Sequence, residues 1–281
     1  KLRMLRAVRF ASVLGFKIEP RTFLAIKKLA HKVHEVSHER ARDELLKMFT
    51  GPHPGLALTL LDKAGLLKEV LPEVYQMKGV QQPKAYHPEG DVFVHTKLLM
   101  AQLKYPSAVL AFGCLLHDVG KPATYKRSDR IRFNGHDRVG AAIAEKILAR
   151  LRFSNDLKEQ IIACVDGHMK FKDVKQMRVS TLKRFLQRET FQTELEQHRI
   201  DCLASHGDLS NWRFLRKKIK TLSREQIKPT PLINGRDLLA LGYSEGPLIG
   251  KILKFAEEAQ LEGALANKDG AIRWVHENFK P

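Results

Sequence analysis

Apolar residues recur at helical spacing along nearly the whole chain, and clean alternation over four or more residues is hard to find. That pattern decides the fold class. Residues three and four apart share one face of a helix, whereas a half-buried strand needs a period of two. The expectation is an all-α protein. With 43% apolar residues among 281, the chain can bury a sizeable core. Its length fits one large domain or two to three small ones. No apolar run is long enough to cross a bilayer and no signal peptide is visible, so no membrane is expected.

Charge is the second constraint. The 49 Lys and Arg against 31 Asp and Glu give a net +18. Such an excess points to a polyanionic partner, nucleic acid ahead of a membrane surface. Cys114, Cys164 and Cys202 are single and far apart in the sequence. Three thiols cannot all pair, and none forms a CxxC. A disulfide framework and a zinc ribbon are therefore excluded, and a reducing cytoplasm fits.

Turn signals divide the chain. "QQPKAYHPEGD" (81–91) is polar and rich in Pro and Gly, which marks a boundary. The expected parts are residues 1–80, then 81–206 with most of the histidines, then 207–281, again basic and helical. The first residues read as helix from Lys1, with no Ser, Thr, Asp or Asn cap before them. An uncapped start leaves amide donors unsatisfied, so the expectation is that an upstream segment has been removed. Arg3, Arg6 and Arg9 recur every third residue on one face, as in a solvated basic face or a binding face.

The chemistry concentrates around "CLLHDVGKPAT" (114–124). An apolar helical run ends in His117-Asp118 and breaks at Gly120 and Pro122. A buried charge is costly unless something pairs with it. Either a metal sits there or the pair is a structural hydrogen bond. His95, His136, His168 and Asp201 stand at or near other helix ends, or beside apolar neighbours, so several helices could bring them to one point. Imidazole with carboxylate suits Fe, Mn, Zn, Ni or Co, and the lack of thiolates argues against a structural zinc knot. Lys121 could neutralise a phosphate. His34, His53 and His198 are assigned no role.

The order His95, His117-Asp118, His136, His168, Asp201 resembles the HD superfamily of metal-dependent phosphohydrolases over roughly residues 87–206. The resemblance implies that His95, His117, Asp118 and Asp201 hold one ion and that His136 and His168 serve a second. The cofactor would be a divalent metal, Mn, Ni, Mg, Fe or Co. His117, Asp118 and Lys121 would be the catalytic residues of a phosphatase or 2′,3′-cyclic phosphodiesterase.

A wider likeness covers essentially the whole chain. "LRMLRAVRFASVLGFKIEPRTFLAI", "VSHERARDELLKMF", "ALTLLDKAGLLKEVLPEV" and "HPEGDVFVHT" are similar to bacterial class II tRNA nucleotidyltransferases, the CCA-adding enzymes and their poly(A) polymerase relatives. The resemblance implies a multi-helical neck and body (1–80), an HD-type helical domain (81–206) and a tRNA-binding helical tail (207–281). Arg3 and Arg6 would contact the incoming nucleotide. Arg213, Arg216, Lys217, Lys218, Lys220 and Lys251 would contact tRNA or another RNA. The family's Gly-Ser and Asp-x-Asp motifs are absent, so the N-terminal nucleotidyltransferase head would be missing. ATP, CTP and its Mg would then belong to a full-length parent, and this fragment would not add nucleotides. Some HD-bearing relatives dimerise, and nothing in the sequence decides for or against a homodimer. Two other readings compete: a catalytically silent RNA-binding scaffold, and a stand-alone nucleotidase acting on free nucleotides.

Overall fold

The structure, a computed structural model, describes residues 1–280. It is all-α, as the apolar spacing predicts. In chain order the helices begin with α1 (Leu2–Leu14), α2 (Pro20–Leu29), a 3-10 turn (Ala30–Glu35), α3 (His38–Phe49), α4 (Pro54–Lys63), α5 (Leu67–Val70) and α6 (Pro72–Tyr75). They continue with α7 (Val92–Ala101), α8 (Ala108–Leu116) and α9 (Lys121–Thr124). A short hairpin of β1 (Lys126–Arg127) and β2 (Ile131–Arg132) comes next. Then come α10 (His136–Arg150), α11 (Asn155–Gly167) and a second 3-10 turn (His168–Asp173). The chain ends with α12 (Val179–Leu186), α13 (Phe191–Ala204), α14 (Ser210–Thr221), α15 (Arg224–Ile227), α16 (Gly235–Ala240), α17 (Pro247–Glu262) and α18 (Lys268–Asn278). No helix among the described residues is long and apolar enough to cross a membrane.

The chain folds into two compact units. The first joins Lys1–Phe171 to Gln192–Trp212, and the second joins Lys172–Phe191 to Arg213–Pro281. The first unit has a contiguous core that includes Leu5, Leu45, Phe49, Leu58, Phe112, Leu148 and Ile200. Phe112 lies at its centre, meeting Phe49 edge-on at 5.7 Å and Phe153 at 4.9 Å between ring centroids. A fully buried Phe contributes about 1.5–3 kcal/mol. Helix α8, "AVLAFGCLL", is apolar on every side and is buried on seven residues, so it runs through the interior. Its C-terminal end therefore delivers His117 and Asp118 deep inside the protein, where both are 2% exposed.

Local chemistry sets the neighbouring helix starts. Asp91 caps α7 by accepting from the Val94 amide at 2.9 Å, and its other oxygen accepts from the Gly79 amide at 2.7 Å. Ser107 caps α8 through the Leu110 amide at 3.2 Å. Each cap satisfies a donor the helix leaves open and contributes about 1 kcal/mol. Helix α13 comes close to α8 because Gly113 has no side chain. A Cβ there would lie 2.8 Å from Gln197 Oε1. Gln197 and Asp201 are one turn apart on α13, as Gly113 and His117 are at the end of α8, so this close approach carries Asp201 toward His117.

The second unit has its own smaller core of Ile233, Leu238, Tyr243, Ile252, Ala256 and Val275. The Tyr243 hydroxyl donates to the Phe279 carbonyl at 2.9 Å. Asn234 and Asp237 form a reciprocal capping box at the start of α16.

Candidate metal centre

Four helix ends and one helix interior meet behind α8. His95 lies in the first turn and a half of α7, His117 caps the end of α8, and His136 opens α10. His168 caps the end of α11, and Asp201 lies in the last turn of α13. Gly120 lets α9 and α10 approach, since a Cβ there would lie 2.1 Å from the His136 carbonyl oxygen. Five of the six side chains predicted as ligands fall into two groups that share Asp118, His95-His117-Asp118 and Asp118-His136-His168, with ligand atoms within 4.8 Å of one another, and Asp201 adjoins the first through His95.

Asp118 is the hub, and its two oxygens face different partners. Oδ2 lies 3.2 Å from His117 Nε2 and 2.7 Å from Lys121 Nζ. Oδ1 lies 3.4 Å from His136 Nε2 and 3.9 Å from His168 Nε2. His95 Nε2 lies 2.9 Å from Asp201 Oδ1. Burial pushes the Asp118 carboxyl up, but His117 and Lys121 overcome it and hold it well below the usual carboxylate range. Burial would lower His95, yet Asp201 and Glu89 raise it to about 9. Burial, with His117 beside it, lowers His168 to about 4.

Two observations show that this donor set fits metal ions. First, three of the histidines turn Nδ1 to the carbonyl oxygen three residues earlier. His117 bonds Cys114 at 2.8 Å, His136 bonds Phe133 at 2.8 Å, and His168 bonds Val165 at 2.6 Å. A neutral ring that donates from Nδ1 presents a lone pair at Nε2, the arrangement seen around metal-ligating histidines. Second, His95 Nε2, His117 Nε2, Asp118 Oδ2 and Asp201 Oδ1 are buried without an aligned hydrogen-bond partner. They stand at ion-pair distance from one another but off the hydrogen-bonding direction. Ligands about 2.1 Å from an ion lie about 3.0 Å apart in an octahedron and about 3.4 Å apart in a tetrahedron. The 2.9–3.4 Å separations of the closest pairs match those edges.

The sequence pattern missed three participants. Glu89 Oε1 lies 2.9 Å from His95 Nδ1 and 3.1 Å from His87 Nδ1. Gln82, 3% exposed, donates to Glu89 at 3.0 Å and accepts from Lys121 Nζ at 2.9 Å. The 81–91 stretch thus folds back over the centre. The available signal was the crowding of His87, Glu89 and His95 just around the α7 cap. His198, left without a role, stacks on Phe171 at 4.8 Å.

The other predicted residues lie elsewhere. Arg3 and Arg6 are exposed and line a cavity of about 660 Å³ with Lys1, Glu35, Ser37 and Arg40. Arg213, Arg216, Lys217 and Lys220 are exposed on α14, Lys218 is half-buried beside Phe214, and Lys251 is exposed on α17.

Comparison with known proteins places this architecture. Residues 15–77 match a family described as the probable RNA and SrmB-binding site of polymerase A, and residues 138–275 match tRNA nucleotidyltransferase domain 2. The A-adding tRNA nucleotidyltransferase of Deinococcus radiodurans is 31% identical over 98% of this chain and 68% of its own length. The chain belongs to the tRNA nucleotidyltransferase family. The CC-adding tRNA nucleotidyltransferase of Thermus thermophilus is 34% identical over 96% of the chain and 64% of its own length. This member of the tRNA nucleotidyltransferase family therefore spans about two thirds of these relatives. Among solved structures, the Bacillus stearothermophilus CCA-adding enzyme in complex with CTP superposes with a TM-score of 0.68 at 21% identity, over 98% of this chain and 61% of that one. The Thermotoga maritima CCA-adding enzyme complexed with tRNA gives 0.53 at 16% identity, over 99% and 61%. Both likenesses are of fold.

Proposed function

We propose that the chain is the RNA-holding and hydrolytic part of an enzyme that extends tRNA 3′ ends, and that its metal centre cleaves a phosphomonoester or a 2′,3′-cyclic phosphodiester. The observation that carries the hydrolytic reading is the ring of buried, unsatisfied donor atoms around Asp118. His95, His117, Asp118 and Asp201 would hold one divalent ion, and Asp118, His136 and His168 a second. Such ions, when bound, lower the pKa of water and neutralise phosphoryl oxygens. The chain's own residues do the rest. Asp118 faces both ligand groups, so it sets their spacing. Lys121 keeps that carboxylate ionised and adds a cation where a phosphate would approach. Gln82 and Glu89 tie Lys121 and His95 to the overlying 81–91 segment.

By the resemblance, residues 1–80 would be the neck and body, 81–206 the HD-type domain and 207–281 the tail, although residues 1–80 share one hydrophobic core with the helices that follow them. Arg3 and Arg6 would face the incoming nucleotide, and the basic side of α14 with Lys251 would follow the RNA backbone. The three cysteines are buried, and three single thiols suit a reducing cytoplasm.

The test is metal content together with hydrolysis of a 2′,3′-cyclic nucleotide in Mn²⁺, Ni²⁺, Mg²⁺ or chelator, beside Asp118→Ala. Bound metal with Asp118-dependent turnover supports the reading. No metal and no turnover, with salt-sensitive tRNA binding intact, would make the chain a silent scaffold.

A further inference from the structure

We propose that the β1–β2 hairpin is a phosphate clamp that receives the part of a single-stranded oligonucleotide adjoining the phosphate held at the metal centre. This proposal rests on the phosphohydrolase reading for its reaction, and on the hairpin alone for its binding.

The hairpin is joined to the centre at both ends. Its first strand comes directly after α9, which carries Lys121. Its second strand runs into Phe133, whose carbonyl accepts from His136 Nδ1 at 2.8 Å. The Phe133 ring lies 5.3 Å from Lys121 Nζ and 5.8 Å from the Tyr125 ring, so the base of the hairpin is an aromatic seat beside the ligands. Asn134 is two residues from His136, at most about 7 Å along the chain.

Arg132 ties the turn, donating to the Ser128 hydroxyl at 3.0 Å and to Asp129 at 2.8 Å, but the other cations of the hairpin are not paired in this way. Lys126 and Arg132 are directly paired in register and therefore point to the same face. Like charges placed opposite one another destabilise a ribbon. Asp129 lies 2.8 Å from Arg132 and offsets that one cation. Lys126, Arg127 and Arg130 are exposed, and among the described residues no carboxylate lies within ion-pair distance of them. Beside them opens a cavity of about 630 Å³, lined by Thr124, Lys126, Arg127, Ser128, Arg132 and Asn134. That lining offers cations, hydroxyls and an amide, and no carboxylate. An anion seated there neutralises Lys126 and Arg127, which line the cavity.

The ligand class is set by the count of anions. A mononucleotide brings one phosphate, which the metal centre takes. A second cationic site beside it suits a substrate that continues into further phosphodiesters. Tyr125, 37% exposed at the base, offers a ring on which a base can stack.

The experiment uses the full Mn²⁺-loaded chain and the double variant Lys126→Gln/Arg127→Gln. Manganese affinity is measured in both to confirm that the centre is intact. Two substrates are compared: a 2′,3′-cyclic mononucleotide and a four-nucleotide RNA ending in a 2′,3′-cyclic phosphate. The ratio of kcat/KM, tetranucleotide over mononucleotide, is expected to fall at least about tenfold in the variant, carried by KM. An unchanged ratio overturns the clamp. If neither protein hydrolyses either substrate, the phosphohydrolase reading fails and binding decides the clamp. Anisotropy of a labelled, 3′-phosphorylated tetranucleotide should then show at least about fivefold weaker binding to the variant, with a salt slope smaller by about 1.4. Equal binding by the two proteins overturns it.

Discussion

His136 Nε2 faces His168 Nε2 at 3.1 Å, and each ring turns its other nitrogen to a backbone carbonyl. In that tautomer both Nε2 atoms carry lone pairs, and two lone pairs at that distance repel unless a cation lies beside them. Asp118 Oδ1 completes the triangle. His168→Ala should therefore remove one ion without removing the other. Metal analysis after Mn²⁺ loading should fall from about two ions per chain to about one. A fall to none would mean that the two groups form one indivisible site.

Proton linkage gives a second prediction. Without metal, His95 keeps its proton up to about pH 9, because Asp201 and Glu89 outweigh the effect of burial. A metal needs the Nε2 lone pair, so binding at neutral pH must expel that proton. Affinity should rise about tenfold per pH unit between pH 7 and 8.5, with about one proton released per chain. His168, lowered to about 4, adds nothing to the slope in this window. The sign for stability is opposite. The His95 pKa is raised on folding, so in the metal-free protein its contribution is complete below about pH 6.5 and is lost as pH climbs through 9. Calorimetry in buffers of differing ionisation enthalpy measures the proton release, and a flat pH dependence would contradict the account.

Gly120→Ala probes how α9 and α10 meet. The new Cβ would have to occupy space 2.1 Å from the His136 carbonyl and 2.6 Å from the Gly140 amide nitrogen. Backbone must move, at a cost of about 1–3 kcal/mol for such overpacking. Because His136 moves with α10, manganese affinity should fall as well as thermal stability. Loss of stability with full affinity would show that the helices repack without displacing the ligands.

The basic face of α14 carries a separate expectation. The triple variant Arg213→Ala/Arg216→Ala/Lys217→Ala should weaken tRNA binding and lower the salt slope by about 2–3. Hydrolysis of a cyclic mononucleotide should not share that loss. A salt slope equal to the parent's would remove α14 from the RNA interface.

Some of this was legible in the residues. Gly and Pro after "CLLHDV", the Gly before His136 and the long apolar runs place His117, His136 and His168 at helix ends, and the structure has them there. Convergence is a different matter. Asp201 reaches the centre because Gly113 admits α13 through Gln197, a contact between residues 84 positions apart that no local pattern encodes. The 81–91 stretch reads as a boundary because Pro and Gly report only a break in helix. They say nothing of Gln82 and Glu89 turning inward. "KRSDRIR" has no apolar alternation, so its hairpin carries no strand signal. Its two-residue strands are fixed by the packing of Tyr125 and Phe133 at the base. The bond from Lys121 to Gln82 joins residues 39 apart and is likewise tertiary.

The central claim is that Asp118 joins two groups of ligands into one metal centre. Its most direct test is Mn²⁺ binding to the chain and to Asp118→Asn, which keeps the shape of the side chain and removes its charge. The account predicts at least about a hundredfold loss of affinity for the tighter ion together with loss of the second ion. Equal affinity and stoichiometry in the two proteins would contradict it.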